Sequence, residues 1–301
     1  MDFIKNCSIT SYISKNELDQ KYKAFQKDID YNNLYLDIHG YRFRFEKKML
    51  EPTSNEFTLS EYKTLLKRIK EKYIFIDFRS ICNFKTPTVI WRHDVDVSVH
   101  NAYKLAKIEQ ELGIRSSYFF MLGNWFYDIR DCQTNKLINE IKNLGHIIGL
   151  HYDFEYFPGG KVTCFDTFLH SLKYQKSEIE HILGSKIDVV SFHDPGSVEE
   201  PLLEKINENH IVLDMVNVYS IKIKNEFKYC SDSNGLWRFE KLGDLINPEL
   251  YPHLHILTHP EWWTEYHYTP RKKIEKALLG RARTTLKRYD ELLKKSSRPN
   301  F

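Results

Sequence analysis

The chain predicts a parallel α/β fold. From Phe57 onward, over some 240 residues, short apolar runs alternate with amphipathic helical stretches, the pattern of βα units. The apolar runs repeatedly end on Asp or His, and no internal repeat or low-complexity linker interrupts them. Alternation alone leaves a closed barrel and an open sheet both open.

The elements follow in order. Residues 1–56 are polar, aromatic and weakly periodic, and are read as an N-terminal extension; within it LYLDIHGYRFRFEK (34–47) predicts two short strands turning at His39-Gly40. The main domain, 57–301, opens with a helix in SEYKTLLKRIKEK that gathers Tyr62, Leu65, Leu66 and Ile69 on one face, with Ser60 as N-cap. YIFIDF and TVIWRHDVD read as strands. VHNAYKLAKIEQELG is a helix with Ala102, Leu105, Ala106 and Leu112 on its apolar side and Gly113 as its stop. IRSSYFFML is a strand, TNKLINEIKNLG a helix closed by Gly145, and HIIGLHYD a strand. TCFDTFLHSLKYQKSEIEHILG is a helix with Thr163 and Asp166 at capping-box-like spacing, followed by the strand KIDVVSFHDPG. EEPLLEKINEN reads as a helix, IVLDMVNVYS as one strand, LHILTHPEWW as a late strand, and the C-terminus as a long basic helix.

Composition bounds the function. Hydrophobic residues make up 42% and charged residues 28%, as in an ordinary soluble protein, and 19 Tyr, 19 Phe and 5 Trp suit either a carbohydrate surface or an aromatic core. Five scattered cysteines without a C-x-x-C pair favour reduced thiols. The N-terminus lacks a basic segment followed by an apolar one, and no uncharged run of 18 residues occurs, so a cytoplasmic protein without a membrane span is expected. The net charge of +3 hides a basic tail: residues 271–301 hold 11 Lys or Arg against 3 Asp or Glu. That tail reads as the solvated face of a terminal helix, with no nucleic-acid partner.

The chemistry lies at the strand ends. Asp94 and Asp96 end TVIWRHDVD, and residues i and i+2 of a strand share a face, so the two carboxylates must repel, share a proton or hold a cation. His151 and Asp153 follow HIIGL, His193 and Asp194 follow VVSF, Asp232 sits in YCSDSNGLWR, and His259 closes LHILTH. Polar groups at the C-terminal ends of parallel strands are where α/β folds build sites. Imidazole and carboxylate together suit a divalent metal: zinc first, with cobalt, nickel, manganese or iron as alternatives. His253 and His255 have no visible partner and read as structural.

These residues resemble the NodB homology domain of polysaccharide deacetylases, carbohydrate esterase family 4. RHDVD is similar to that family's first motif, LGIRSSYFF to the strand after it, GHIIGLH to its second motif, FHDPG to its third with His193 where Arg is usual, and LTH to its fifth. The resemblance spans roughly residues 57–265 and is closest to a variant group found with bacterial surface-polysaccharide biosynthesis. It implies a distorted (β/α) barrel and a metal-dependent hydrolase of an N-acyl or O-acyl group on a sugar, most directly an N-deacetylase; the expected lack of an export signal points to a small or nucleotide-linked sugar. By motif position Asp94 is the general base, His259 the general acid, and Asp96 and His151 metal ligands. The family's third ligand, a histidine, is replaced by Glu155; Glu155, Asp153 or His193 is left to complete the set. Arg92 or His193 stands in for the missing orienting arginine, Asp232 orients a histidine, and Trp262 and Trp263 either stack on a sugar or close the barrel mouth. The alternatives are hydrolysis of another C–N bond and a silent domain that binds a sugar or a partner. Homo-oligomerisation is left open.

Overall fold

The pattern of apolar residues places one strand at the centre, and Thr88–Val95 is buried over its whole length. The computed structural model describes residues 56–81, 84–238 and 240–299, together with three short strands before them. Those strands, β1 (Tyr12–Ser14), β2 (Tyr35–Ile38) and β3 (Tyr41–Arg44), form an antiparallel sheet in the order β1-β3-β2. Ile38 pairs with Tyr41, so the two strands expected in this segment are present, while the turn itself, Cys7 and Cys82 lie outside the described residues.

Helix α1 (Leu59–Lys70) buries Tyr62, Leu65, Leu66 and Ile69, as its periodicity predicts. Its cap is Thr58, however, whose Oγ1 accepts the Glu61 N–H at 3.2 Å, and Ser60 lies inside the helix. The reason is tertiary. Leu59 N–H donates to Thr264 O and Thr264 N–H to Phe57 O, which holds the backbone extended through Thr58.

The chain then alternates through β4 (Ile74–Ile76), β5 (Thr88–Val95), α2 (Val99–Glu111), β6 (Ser117–Phe120), α3 (Cys132–Asn143), β7 (Ile147–Asp153), α4 (Phe165–Leu183), β8 (Val189–His193) and α5 (Glu200–Glu208). Gly113 and Gly145 end their helices at positive φ, 66° and 96°, where a Cβ is unfavourable. At the start of α4 the capping pair is one residue later than expected: Thr167 Oγ1 accepts from Cys164 N–H at 3.0 Å. The single strand expected in IVLDMVNVYS is a hairpin, β9 (Ile211–Val212) and β10 (Met215–Asn217), because Leu213 and Asp214 both take positive φ, 47° and 62°, as in a type I′ turn. Helix α6 (Ile221–Glu226), β11 (Lys228–Ser231), α7 (Leu242–Leu245), β12 (His253–Thr258) and α8 (Pro270–Lys295) complete the chain.

The sheet runs β11-β12-β5-β6-β7-β8-β10-β9, with β4 beside β5. On one edge of β5, β4 pairs with Thr88–Ile90 and β6 with Arg92–Val95; β12 occupies the other edge. The sheet curls into a half-barrel, parallel except for β9, and its end strands are not paired with each other among the described residues.

Strand alternation then decides which side chains meet. Outward residues such as Trp91, Tyr118, Leu150 and Phe192 pack under the helices. Inward residues Ile90, Phe119, Ile147 and Val189 fill the floor of the half-barrel with Val216, Val218 and Phe227. Further along the same inner face come Arg92 and Ser191, two residues on, and His151, four residues on, so the floor supports a polar layer at the C-terminal end. His93 points the other way, where its Nε2 meets the fully buried Glu109 at 2.7 Å. Among the described residues no helix is long and apolar enough to cross a membrane.

Candidate metal and catalytic site

Strand β5 brings Arg92 and Asp94 to the inner face and turns Asp96 onto it one residue beyond the strand. Strands β7 and β8 pair His151 with Ser191 and Asp153 with His193. Asp232 follows β11 and His259 follows β12.

Three electron-pair donors converge. His151 Nε2 lies 3.1 Å from Asp96 Oδ1, His193 Nδ1 lies 3.7 Å from that oxygen, and the two imidazole nitrogens are 3.3 Å apart. Among the described residues Asp96, His151 and His193 form a group whose ligand atoms all lie within 4.8 Å of one another. Asp96 Oδ1 is buried and makes no hydrogen bond. The tautomer of His151 explains that. Ser191 Oγ donates its one proton to Asp94 Oδ1 at 3.2 Å, so it must accept from His151 Nδ1–H at 2.7 Å; in the neutral imidazole this leaves the Nε2 lone pair facing the Asp96 oxygen.

These spacings test whether a metal fits. Bond lengths of about 2.0–2.1 Å at tetrahedral angles separate ligand atoms by about 3.3 Å, close to the three spacings above. One carboxylate oxygen and two imidazole nitrogens also match the donors preferred by divalent zinc and its neighbours. The residues fit the group. Burial opposes the charge of Asp96, but His151 and His193 in their protonated, metal-free forms, with His259, outweigh it and hold the carboxyl well below its usual range. Contact with Asp96 likewise raises the His193 pKa from its ordinary value, against a smaller effect of burial.

Asp94 sits beside this group with its orientation fixed from two sides. Arg92 Nη2 is 3.2 Å from Oδ2, and Ser191 holds Oδ1. Arg92 is itself fully buried, donates to Tyr219 O–H at 2.9 Å and lies 4.6 Å over the Tyr219 ring. Burial lowers its pKa, and Asp94 more than restores it.

On the opposite flank His259 Nδ1 meets Asp232 Oδ1 at 2.6 Å, and its Nε2 faces Asp96 Oδ2 at 3.8 Å. Asp232 also accepts the His259 backbone N–H and the Trp263 indole N–H, at 2.9 and 2.8 Å. Burial disfavours the imidazolium, yet Asp232 first, then Asp96 and Glu261, raise His259 to about 10.

Other expected residues lie elsewhere. Glu155 is exposed and is not one of the three converging residues; its backbone N–H donates to Asp153 Oδ1 at 2.9 Å. Asp153 is half-buried, across the ladder from His193. Trp262 is buried in the cluster that contains Phe57, Tyr62 and Trp263, and its indole N–H has no partner. His253 Nδ1 meets Thr88 Oγ1 at 2.7 Å, and His255 lies edge-on to Phe78 and Tyr229. Two site residues escape a reading of the sequence. Ser191 shows only as the polar member of an apolar strand two residues before His193. Glu261, two residues after His259, is buried with Oε2 unpartnered; burial and then Asp96 push its carboxyl well above the usual range.

No family model matches the chain, and no curated protein matches it either. Solved structures similar to this chain include carbohydrate esterase family 4 proteins, some of them pseudoenzymes. A mutant of a Bacillus anthracis pseudoenzyme of this family, with restored enzymatic activity, is 12% identical over 67% of this chain, at a TM-score of 0.39. The match spans 64% of that protein's length. A family 4 carbohydrate esterase from Bacillus anthracis is 15% identical over 74% of this chain and 86% of its own, at 0.38. The catalytic domain of a peptidoglycan N-acetylglucosamine deacetylase from Eubacterium rectale is 10% identical over 67% and 87%, at 0.42.

Proposed function

We propose that this protein is a metal-dependent hydrolase that removes an acyl group, most directly N-acetyl, from a sugar. The observation that carries the reading is the convergence of Asp96 Oδ1, His151 Nε2 and His193 Nδ1 between a fixed carboxylate, Asp94, and an Asp232-held imidazole, His259. A divalent cation held by those three atoms supplies the Lewis acidity that polarises an acyl carbonyl and activates water.

This chain's own residues do the rest. Asp94, kept in place by Arg92 and Ser191, accepts the proton of the attacking water. His259 carries its second proton on Nε2, because Nδ1–H is committed to Asp232, and Nε2 faces the site. It donates that proton to the departing nitrogen as the C–N bond breaks and a C–O bond replaces it, giving carboxylate and amine. An amine leaves poorly unless protonated, so the acid is required more for an amide than for an ester.

Acetate release from a panel of N-acetylated sugars, with the zinc- or cobalt-loaded protein and Asp94→Asn beside it, tests the reading. Release by the wild type and its loss in the variant are expected. A loaded wild type that releases no acetate from any of them contradicts the proposal and favours a silent binding domain.

A further inference from the structure

Helix α8 meets the domain along one line and leaves its far side uncovered among the described residues. Ile274 packs against the cluster of Phe57, Tyr62 and Trp263, Arg281 donates to Phe126 O, and Arg288 Nη1 donates to Asp131 Oδ1 at 2.7 Å. These three residues recur about two helical turns apart, so they mark one side of the helix. Leu279, Leu286 and Leu293 recur at the same interval, displaced roughly 140° around the axis, with Ala282 and Tyr289 between them. The stripe stands in solvent: Leu279 is 47%, Leu286 63% and Tyr289 54% exposed.

Cations border it. Lys276, Arg283, Lys287 and Lys294 run along one edge of the stripe, and residues 271–301 carry 11 Lys or Arg against 3 Asp or Glu. Contiguous apolar surface rimmed by charge marks an interaction site, and here the sign of the rim selects the occupant. A second copy of this helix would bring the same positive excess to the seam and be repelled. A nucleic acid would answer the charge but leave the leucines in water. An anionic bilayer answers both, because its headgroups neutralise the cations while the acyl boundary takes the Leu and Tyr side chains. Helix α8 is not apolar enough to cross a membrane, so it would lie in the interface plane.

We propose that α8 docks this protein onto a membrane surface rich in anionic phospholipid. Its contact with Phe126 gives the docking a consequence for the site. Phe126 N–H donates to Asn124 Oδ1 at 2.6 Å, and Asn124 Nδ2 donates to Asp96 O at 2.9 Å. Docking through α8 therefore holds the strand-end site beside the bilayer. The inference stands apart from the hydrolase reading, since no metal-ligand residue takes part in binding lipid.

The test is co-sedimentation of the full chain with vesicles of phosphatidylcholine alone, or of phosphatidylcholine mixed with phosphatidylglycerol. Two double variants accompany the wild type: Leu286→Gln with Tyr289→Gln, and Arg283→Gln with Lys294→Gln. All four side chains are exposed, so both variants should fold, with an unchanged circular dichroism spectrum. The wild type should bind the mixed vesicles about ten-fold or more tightly than the neutral ones, and the difference should shrink in high salt. Each double variant should weaken that binding by about ten-fold or more. No sedimentation with the anionic vesicles, equal binding to the neutral ones, or full binding by the Leu286 and Tyr289 variant would overturn the inference. So would duplex DNA bound more tightly than the vesicles. A wild-type dimer in analytical ultracentrifugation that the Leu286 and Tyr289 variant dissociates would overturn it too, and would make a second copy the occupant.

Discussion

Replacing Asp232 by Asn tests how the site sets the protonation of His259. Asp232 is fully buried, and both of its oxygens face donors: the Nδ1 and backbone N–H of His259 and the indole N–H of Trp263. Asn keeps one accepting oxygen, removes the charge and turns an N–H₂ group toward at least one of those donors. An opposing charge at this range typically moves a pKa by about 1–3 pH units, so His259 should fall from about 10 to roughly 7–9 in the metal-free protein. Removing one partner of a buried pair costs about 3–5 kcal/mol of stability. The sign of the pH dependence follows from linkage. Because the folded-state pKa is raised, the contribution of His259 is complete below its unfolded value of about 6.5 and disappears as pH rises through about 10. The stability gap between wild type and Asp232→Asn should thus be widest near pH 6 and narrow towards pH 10. Imidazole ¹⁵N titration and urea unfolding at several pH values measure both quantities. A His259 that titrates at the same pH in both proteins, with a stability gap independent of pH, refutes the reasoning.

Three other outcomes are expected. Ser191→Ala frees His151 Nδ1 and removes the group that sets its tautomer, so zinc affinity measured by chelator competition should fall about 10–100-fold, with the circular dichroism spectrum unchanged. Gly149→Ala puts a methyl group 2.5 Å from the Phe119 ring and 2.8 Å from Val189 Cγ2 in the floor of the half-barrel; overpacking of this kind costs about 1–3 kcal/mol, read as a lowered urea midpoint. The rate of acetate release by the loaded wild type should fall on the alkaline side as His259 loses its proton, and the same limb should lie at lower pH in Asp232→Asn.

Much of the architecture could be read from periodicity, because each strand and helix of the half-barrel carries its own apolar pattern. Asp94, Asp96 and His151 were visible for the same reason: a two-residue alternation puts polar strand-end residues on one face. The third member of the group was not decided by spacing along the chain. His193 reaches Asp96 because β8 lies beside β7 in the register that sets His151 opposite Ser191, and register is a property of two strands together. The β9–β10 hairpin was hidden because its turn uses Leu213 and Asp214, and a leucine at positive φ leaves no turn signal. The buried Glu109 looked like one more polar helix position; its partners Tyr62, His93 and Tyr118 come from α1, β5 and β6. Thr58 displaced Ser60 as a cap only because the distant Thr264 holds the chain extended there.

The central claim is that Asp96, His151 and His193 hold one metal ion. The most direct measurement is elemental analysis after incubation with zinc and dialysis, on the wild type and on Asp96→Ala, His151→Ala, His193→Ala and Glu155→Ala. About one zinc per chain in the wild type and in Glu155→Ala, with loss in the other three, is the predicted result. Zinc retained by His193→Ala but lost from Glu155→Ala, or none bound by the wild type, would contradict it.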